Sequence, residues 1–167
     1  NREAGSDRDV SIAVESNRPI LAERPMYFDY RGMGNRGWTG GHCVMGAGAP
    51  GENWYFAEGY TGSGFEEWLC LANFSDADAA VQVTYLFEEG DPLTKPYTVP
   101  ARTRRTLSVN LETGVEAGLG LRVESSLPIL AERPMYFNYD EKWDDGSCVV
   151  GAGMPSTYWC LAEGYTD

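Results

Sequence analysis

The chain is short of histidine, of lysine and of long apolar runs. His42 is the only histidine among 167 residues, which removes most zinc-site and triad chemistry, since both draw on imidazole. Lysine occurs only at Lys95 and Lys142, and Lys and Arg together number 13 against 25 Asp and Glu. The net charge of −12 argues against nucleic acid and against an anionic membrane surface, because both are held by basic side chains. No run of about 18 apolar residues occurs, so no helical membrane insertion is expected. Phosphate loops, Gly-x-Ser-x-Gly elbows and His-Glu-x-x-His motifs are missing too; Gly62-Ser63-Gly64 lacks a following Lys and reads as a turn. The expectation is a chain with no cofactor, no metal and no catalytic residue.

What remains is enough for a fold. Apolar residues make up 43% and aromatics 13% of the chain, which can fill a packed core and sets disorder aside. The length suits one domain or slightly more. The sequence opens on Asn1 with no charged-then-apolar leader, so it reads as a mature product or a piece of something longer.

Self-similarity is the strongest signal. Of the 17 positions from Val14 to Tyr30, 14 are identical to Val123–Tyr139, at an offset of 109. A second block, Trp38–Thr61, recurs as Trp143–Thr166 at an offset of 105, with 14 of 24 positions identical. The offset changes in one place, where Arg31-Gly32-Met33-Gly34-Asn35-Arg36-Gly37 is replaced by Asp140-Glu141-Lys142. Loops accept such a change and strands do not. Residues 62–121 occur once. The period is too long for a solenoid and fits an array of small domains: 1–52 as the end of one repeat, with 1–9 a candidate exchange strand or arm; 53–152 as a complete repeat; 153–167 as the start of a third.

Alternation dominates over helical spacing. Val81, Val83, Tyr85 and Phe87 alternate with Gln82, Thr84 and Leu86, and Leu119, Leu121 and Val123 behave likewise, as do Val10, Ile12 and Val14. Short apolar runs at Trp54–Ala57 and Trp68–Ala72 read as buried strands. Turn signals recur at Ser75-Asp76, Gly90-Asp91-Pro92 and Glu112-Thr113-Gly114. Asp76–Ala80 offers one helical turn at most. The fold class is all-β: an immunoglobulin-like antiparallel β-sandwich of about seven strands, with partial copies at both ends. Pro25 and Pro134 interrupt apolar runs, which predicts edge strands or bulges for both.

Few residues invite chemistry. Glu23 with Glu58, and their copies Glu132 and Glu163, form candidate carboxylate pairs for glycoside hydrolysis. Ion pairs with Arg24 or Arg133 are the better reading. His42 precedes Cys43, but Ser147 precedes Cys148, so a Cys–His nucleophile is not repeated. Asp140, Glu141, Asp144 and Asp145 make an acidic loop whose carboxylate oxygens could bind Ca²⁺, but Asn35, Arg36, Thr39 and Gly40 stand in the other copy, and a solvated acidic loop is the better reading. Trp54 and Trp159 sit in apolar runs and read as core. Trp38 and Trp143 flank the variable loop and are the candidates for exposed, ligand-stacking aromatics. Asn73-Phe74-Ser75 is a glycosylation sequon.

The four cysteines, Cys43, Cys70, Cys148 and Cys160, are too widely spaced for CxxC metal pairs and are disulfide candidates. All three pairings are open, each bridge stabilising by roughly 2–4 kcal/mol.

The strings Pro19–Phe28 and Trp54–Asn73 resemble tandem repeats of large secreted bacterial surface proteins. The stretch Glu67–Val109 is similar to an adhesin-type immunoglobulin-like domain: a strand ending in Asn, a hairpin, then a Pro-led strand. The resemblance covers most of the chain from Val10 onward. It implies an extracellular, cell-surface β-sandwich without established catalytic residues. The chain departs from it at Asn73-Phe74, where Asn-Pro is expected, and at Tyr60, where relatives carry a Cys that would suit Cys70. The expected role is a non-enzymatic structural unit of a surface filament, stalk or sheath, associating with identical subunits or neighbouring repeats. The alternative is a glycan- or ligand-binding adhesion module.

Overall fold

A computed structural model describes residues 5, 8–33 and 37–166 of the chain. Most of the candidate arm 1–9 lies outside the described residues, as do Asn35 and Arg36 of the variable loop. Among the described residues nine strands and one short helix follow in order: β1 (Glu23–Arg31), β2 (Gly37–Met45), β3 (Gly51–Phe56), β4 (Phe65–Ala72), β5 (Ala79–Phe87), β6 (Leu93–Val99), β7 (Arg104–Ser108), α1 (Val109–Thr113), β8 (Leu119–Tyr139) and β9 (Trp143–Val150). All pairings are antiparallel.

The 21-residue β8 organises the molecule. Its first half lies between β3 and β5, with Val123 opposite both Trp54 and Val83. Its second half lies between β4 and β9, with Glu132 opposite both Cys70 and Val150. Two four-stranded groups, β6-β5-β8-β3 and β7-β4-β8-β9, therefore share one strand. A single core takes apolar residues from both: Trp54 and Phe56 from β3, Leu69 and Leu71 from β4, Val81, Val83 and Tyr85 from β5, and Leu121, Val123 and Ile129 from β8. Complete burial of such a side chain stabilises by about 1.5–3 kcal/mol. The alternation seen in the sequence of β5 is the alternation of its burial, with Val81, Val83 and Tyr85 inward and Gln82 and Leu86 outward. Trp54 also ties β3 to β8 through a hydrogen bond from Nε1 to the Ile129 carbonyl, 3.0 Å.

Three sequence expectations change here. The helical turn forms at Val109–Thr113 and not at Asp76–Ala80. The Ser108 hydroxyl caps it by accepting from the Leu111 N–H, and Gly114 ends it in the left-handed region at φ 67°, where glycine has no Cβ penalty. Pro25 does lie on a strand with one partner, β1, but Pro134 lies inside β8 with neighbours on both sides. The ladder between β4 and β8 lapses there: Trp68 and Leu69 have no partner on β8, opposite Pro134 and Arg133. A missing N–H is thus accommodated by a gap and not by an edge. Finally, Val10–Val14 alternates as a strand should, yet residues 8–22 belong to no strand.

Candidate interaction surface

Hairpin one (β1–β2) and hairpin two (the second half of β8 with β9) are built alike. Glu23↔Met45, Pro25↔Cys43 and Tyr30↔Trp38 in the first correspond to Glu132↔Val150, Pro134↔Cys148 and Tyr139↔Trp143 in the second. Register is set by which face must be buried, so repeated strings reproduce repeated pairings. Their loops differ. Hairpin two turns through Asp140 and Glu141, both at φ 55°, with the Lys142 N–H on the Tyr139 carbonyl. This backbone twist matches that of the flanking strands.

The hairpins stack on unlike faces. Successive residues of a strand face opposite ways, and in β1 Arg24, Met26, Phe28 and Tyr30 are the half-buried set. They pack on the face of hairpin two that holds Glu132, Tyr136, Gly146 and Cys148. Arg24 Nη1 meets Glu132 Oε2 at 2.9 Å, and Phe28 stands edge-on to Tyr136 with centroids 5.0 Å apart. The counterpart of that receiving face on hairpin one is Glu23, Pro25, Tyr27 and Asp29, and it is exposed. Tyr136 is half-buried where Tyr27 is open.

Beneath this stack sits a pair of buried acids. Glu66 accepts from the Tyr30 hydroxyl at 3.0 Å and from the Met33 N–H. It lines an open depression of about 260 Å³ with Met33, Trp38, Thr61 and Asn110. Gly32 is required at this point, because any Cβ there would collide with Trp38 and Glu66. Glu67 is fully buried, its carboxylate oxygens have no hydrogen-bond partner among the described residues, and it lies against Gly59. Burial pushes its pKa up to about 7, against the opposing pull of Arg133. Arg133 donates to the Glu58 carbonyl.

The residues singled out in the sequence are dispersed. All four thiols are free, so the expected disulfide framework is not formed. Cys43 lies on the exposed face of hairpin one beside Glu23, whereas Cys148 is buried under Arg24 on hairpin two. The thickness of a hairpin separates them, and Cys160 is exposed in a segment without strands. Burial first, then Glu132, raises the Cys148 pKa to about 12, which keeps it a thiol and a poor nucleophile. Cys70 is shifted the same way by burial.

Trp38 is not an exposed platform: it is 2% accessible and stacked on Tyr30. The variable loop folds Gly32 over it instead of leaving it open. Trp143 is exposed, stacked on Tyr139 with Lys142 over its ring. Of the two tryptophans read as core, Trp54 is buried and Trp159 is not. Asn73 is 1% accessible, and its amide donates to the carbonyls of Ala77, Val99 and Pro100. The sequon is thus a turn-closing asparagine with no free amide to modify. The carboxylate pairs are not assembled: Glu23, Glu58 and Glu163 are exposed, and Glu132 is held by Arg24. Both ring nitrogens of His42 lack partners among the described residues, and burial together with Arg24 lowers its pKa. In the acidic loop Asp140 binds Lys142, Asp144 binds Asn138, and Asp145 accepts from the Gly146 N–H.

Sequence reasoning missed Glu66, Glu67 and the joint between hairpins. Two adjacent acids read as surface; the apolar run that follows them at once, Trp68–Ala72, was the available sign of burial.

The fold defines this chain as an antiparallel β protein. No known family and no curated protein matches it. Protein 1070 of Thermotoga maritima, known from a crystal structure, has a TM-score of 0.57 at 20% identity, over 62% of this chain and 94% of that one. The likeness is one of fold. A sensory rhodopsin transducer from Anabaena is a looser match, with a TM-score of 0.46 at 25% identity over 53% of this chain and 99% of its own. Neither is described as an adhesin or a surface repeat.

Proposed function

We propose that this chain is a non-enzymatic, extracellular structural unit, an immunoglobulin-like β-sandwich repeat of a cell-surface filament, stalk or sheath. Its work is mechanical: units join end to end. The observation that carries this reading is the stack of two equivalent hairpins on unlike faces, with Arg24 of one against Glu132 of the other. A contact between different faces of like units is head-to-tail; it leaves the receiving face of hairpin one, Glu23, Pro25, Tyr27 and Asp29, unused, and a head-to-tail contact whose rotation does not close gives an open assembly. The scattered acids and the buried thiols of Cys70 and Cys148, which burial keeps protonated, favour a scaffold over an enzyme. Purified protein is expected to gain mass with concentration in light scattering and to give filaments or rods in negative-stain electron microscopy. A monomer at every concentration rejects the reading.

A second reading, an adhesion module for glycans or another surface ligand, is favoured by one observation: Trp143 is exposed and backed by Tyr139. Trp143→Ala should then abolish signal on a glycan array and leave assembly unchanged.

A further inference from the structure

Two exposed segments of this chain occupy the repeat positions of two strands that pair with each other. Residues 10–22 stand 109 before 119–131, the first half of β8, with 7 of 13 positions identical, and residues 156–161 stand 105 after β3, keeping Trp54 as Trp159 and an apolar residue, Leu161, where β3 has Phe56. In the folded unit Leu121 and Val123 are buried, while Ile12 and Val14 in the copy are exposed. Trp54 and Phe56 are each 5% accessible, against 64% for Trp159 and 91% for Leu161. Neither segment belongs to a strand. Asp9 is bound to Arg104 of β7, 2.8 Å, and Ala152 to Tyr55 of β3, so the two segments leave the body from different strands.

We infer that residues 156–161 of one copy add as an antiparallel strand to residues 10–15 of a second copy. This rests on the reading that copies join end to end, and it specifies the joint. The register is the one β3 takes on β8, where Trp54↔Val123, Tyr55↔Arg122 and Phe56↔Leu121; it places Trp159 opposite Val14, Cys160 opposite Ala13 and Leu161 opposite Ile12. Main-chain hydrogen bonds supply the attraction and alternate side chains the selectivity. A slip of one residue would turn Trp159 and Leu161 to the wrong face. An isolated two-stranded ribbon is marginal in water, but this one is not isolated. The Gly46 N–H already bonds the Ala22 carbonyl, so residues 10–22 run directly into hairpin one, as the two halves of β8 run into each other.

The geometry offers a direct test. Tyr55 exchanges both its backbone hydrogen bonds with Ala152, so Tyr55 and Arg122 form a non-hydrogen-bonded pair. Such pairs have Cα atoms about 4.5 Å apart, inside disulfide reach. Ala13→Cys, in the full chain with Cys43→Ser and native Cys160, should therefore oxidise with glutathione disulfide to an interchain ladder on a non-reducing gel. Mass spectrometry of mixed isotope-labelled and unlabelled copies should place the bridge between position 13 of one copy and Cys160 of another. Val14→Cys points to the opposite face and should cross-link roughly tenfold less. All the substituted positions are exposed, and an unchanged near-ultraviolet circular dichroism spectrum verifies the fold. Equal cross-linking at positions 13 and 14, or a bridge within one chain, overturns the inference. Copies that assemble in light scattering without the bridge overturn this joint alone; copies that remain monomeric overturn the assembly as well.

Discussion

The same string has two fates in one chain. At 123–139 it is the buried spine of the molecule; at 14–30 its first half forms no strand and its second half forms an outlying hairpin. Of 17 positions only three differ, so intrinsic preference does not explain the contrast. Partners do. Residues 119–125 have β3 on one side and β5 on the other, whereas residues 8–22 have neither. A strand is a property of its neighbours as much as of its residues. The hairpin persists in both copies because it brings its own partner in β2 or β9.

Breaking the buried copy should cost far more than breaking the exposed one. Trp54→Ala should destabilise by about 3–5 kcal/mol, the range for large-to-small changes in a core, while Trp159→Ala should stay within about 0.5 kcal/mol. Urea denaturation of the dilute, unassembled protein measures both. Equal effects would mean that Trp159 is buried in the dilute chain too.

The two equivalent arginines sharpen the contrast. Arg133 is buried near Glu67, and Arg24 is half-exposed beside Glu132. Because the Glu67 pKa rises to about 7 on folding from 4.5, the folded state binds the extra proton between those values. Stability therefore falls as pH rises from about 4.5 to 7 and stays low above it. At 1.36 kcal/mol per pH unit the loss is roughly 3 kcal/mol. Glu67→Gln should flatten this slope and raise the melting temperature at pH 8, with little change at pH 4. A profile that rises across the window in the unmodified protein would mean that Glu67 is held charged. Arg24→Ala removes a partly screened pair and should cost no more than about 1 kcal/mol. Chemical denaturation should show this small difference in low salt and a smaller one in high salt.

Much of the fold was legible because β patterns declare themselves. Val81, Val83 and Tyr85 alternate in sequence and in burial, and the repeated strings announced the repeated register. Pro134 was misplaced because proline excludes a ladder bond, and a lapse in the β4 ladder satisfies that as well as an edge does. Trp38 was misplaced because a residue beside a variable loop reads as exposed, and nothing local says that the loop folds back over it. The candidate surface was less legible still. That Arg24 seeks an acid was foreseeable; that the acid belongs to the other copy is a matter of how two hairpins stack. Asn73 carries a modification signal in three letters, and only its three carbonyl partners reveal a turn.

The difference in loop length between the hairpins gives the stack a direction. Only the longer loop, with Gly32 and Met33, reaches down to Glu66; the three residues 140–142 close on themselves. Two hairpins of the same register are thereby made non-interchangeable, one fitted to ride and the other to carry. An insertion of four residues acts as an arrow, deciding which of two hairpins with the same register lies on top.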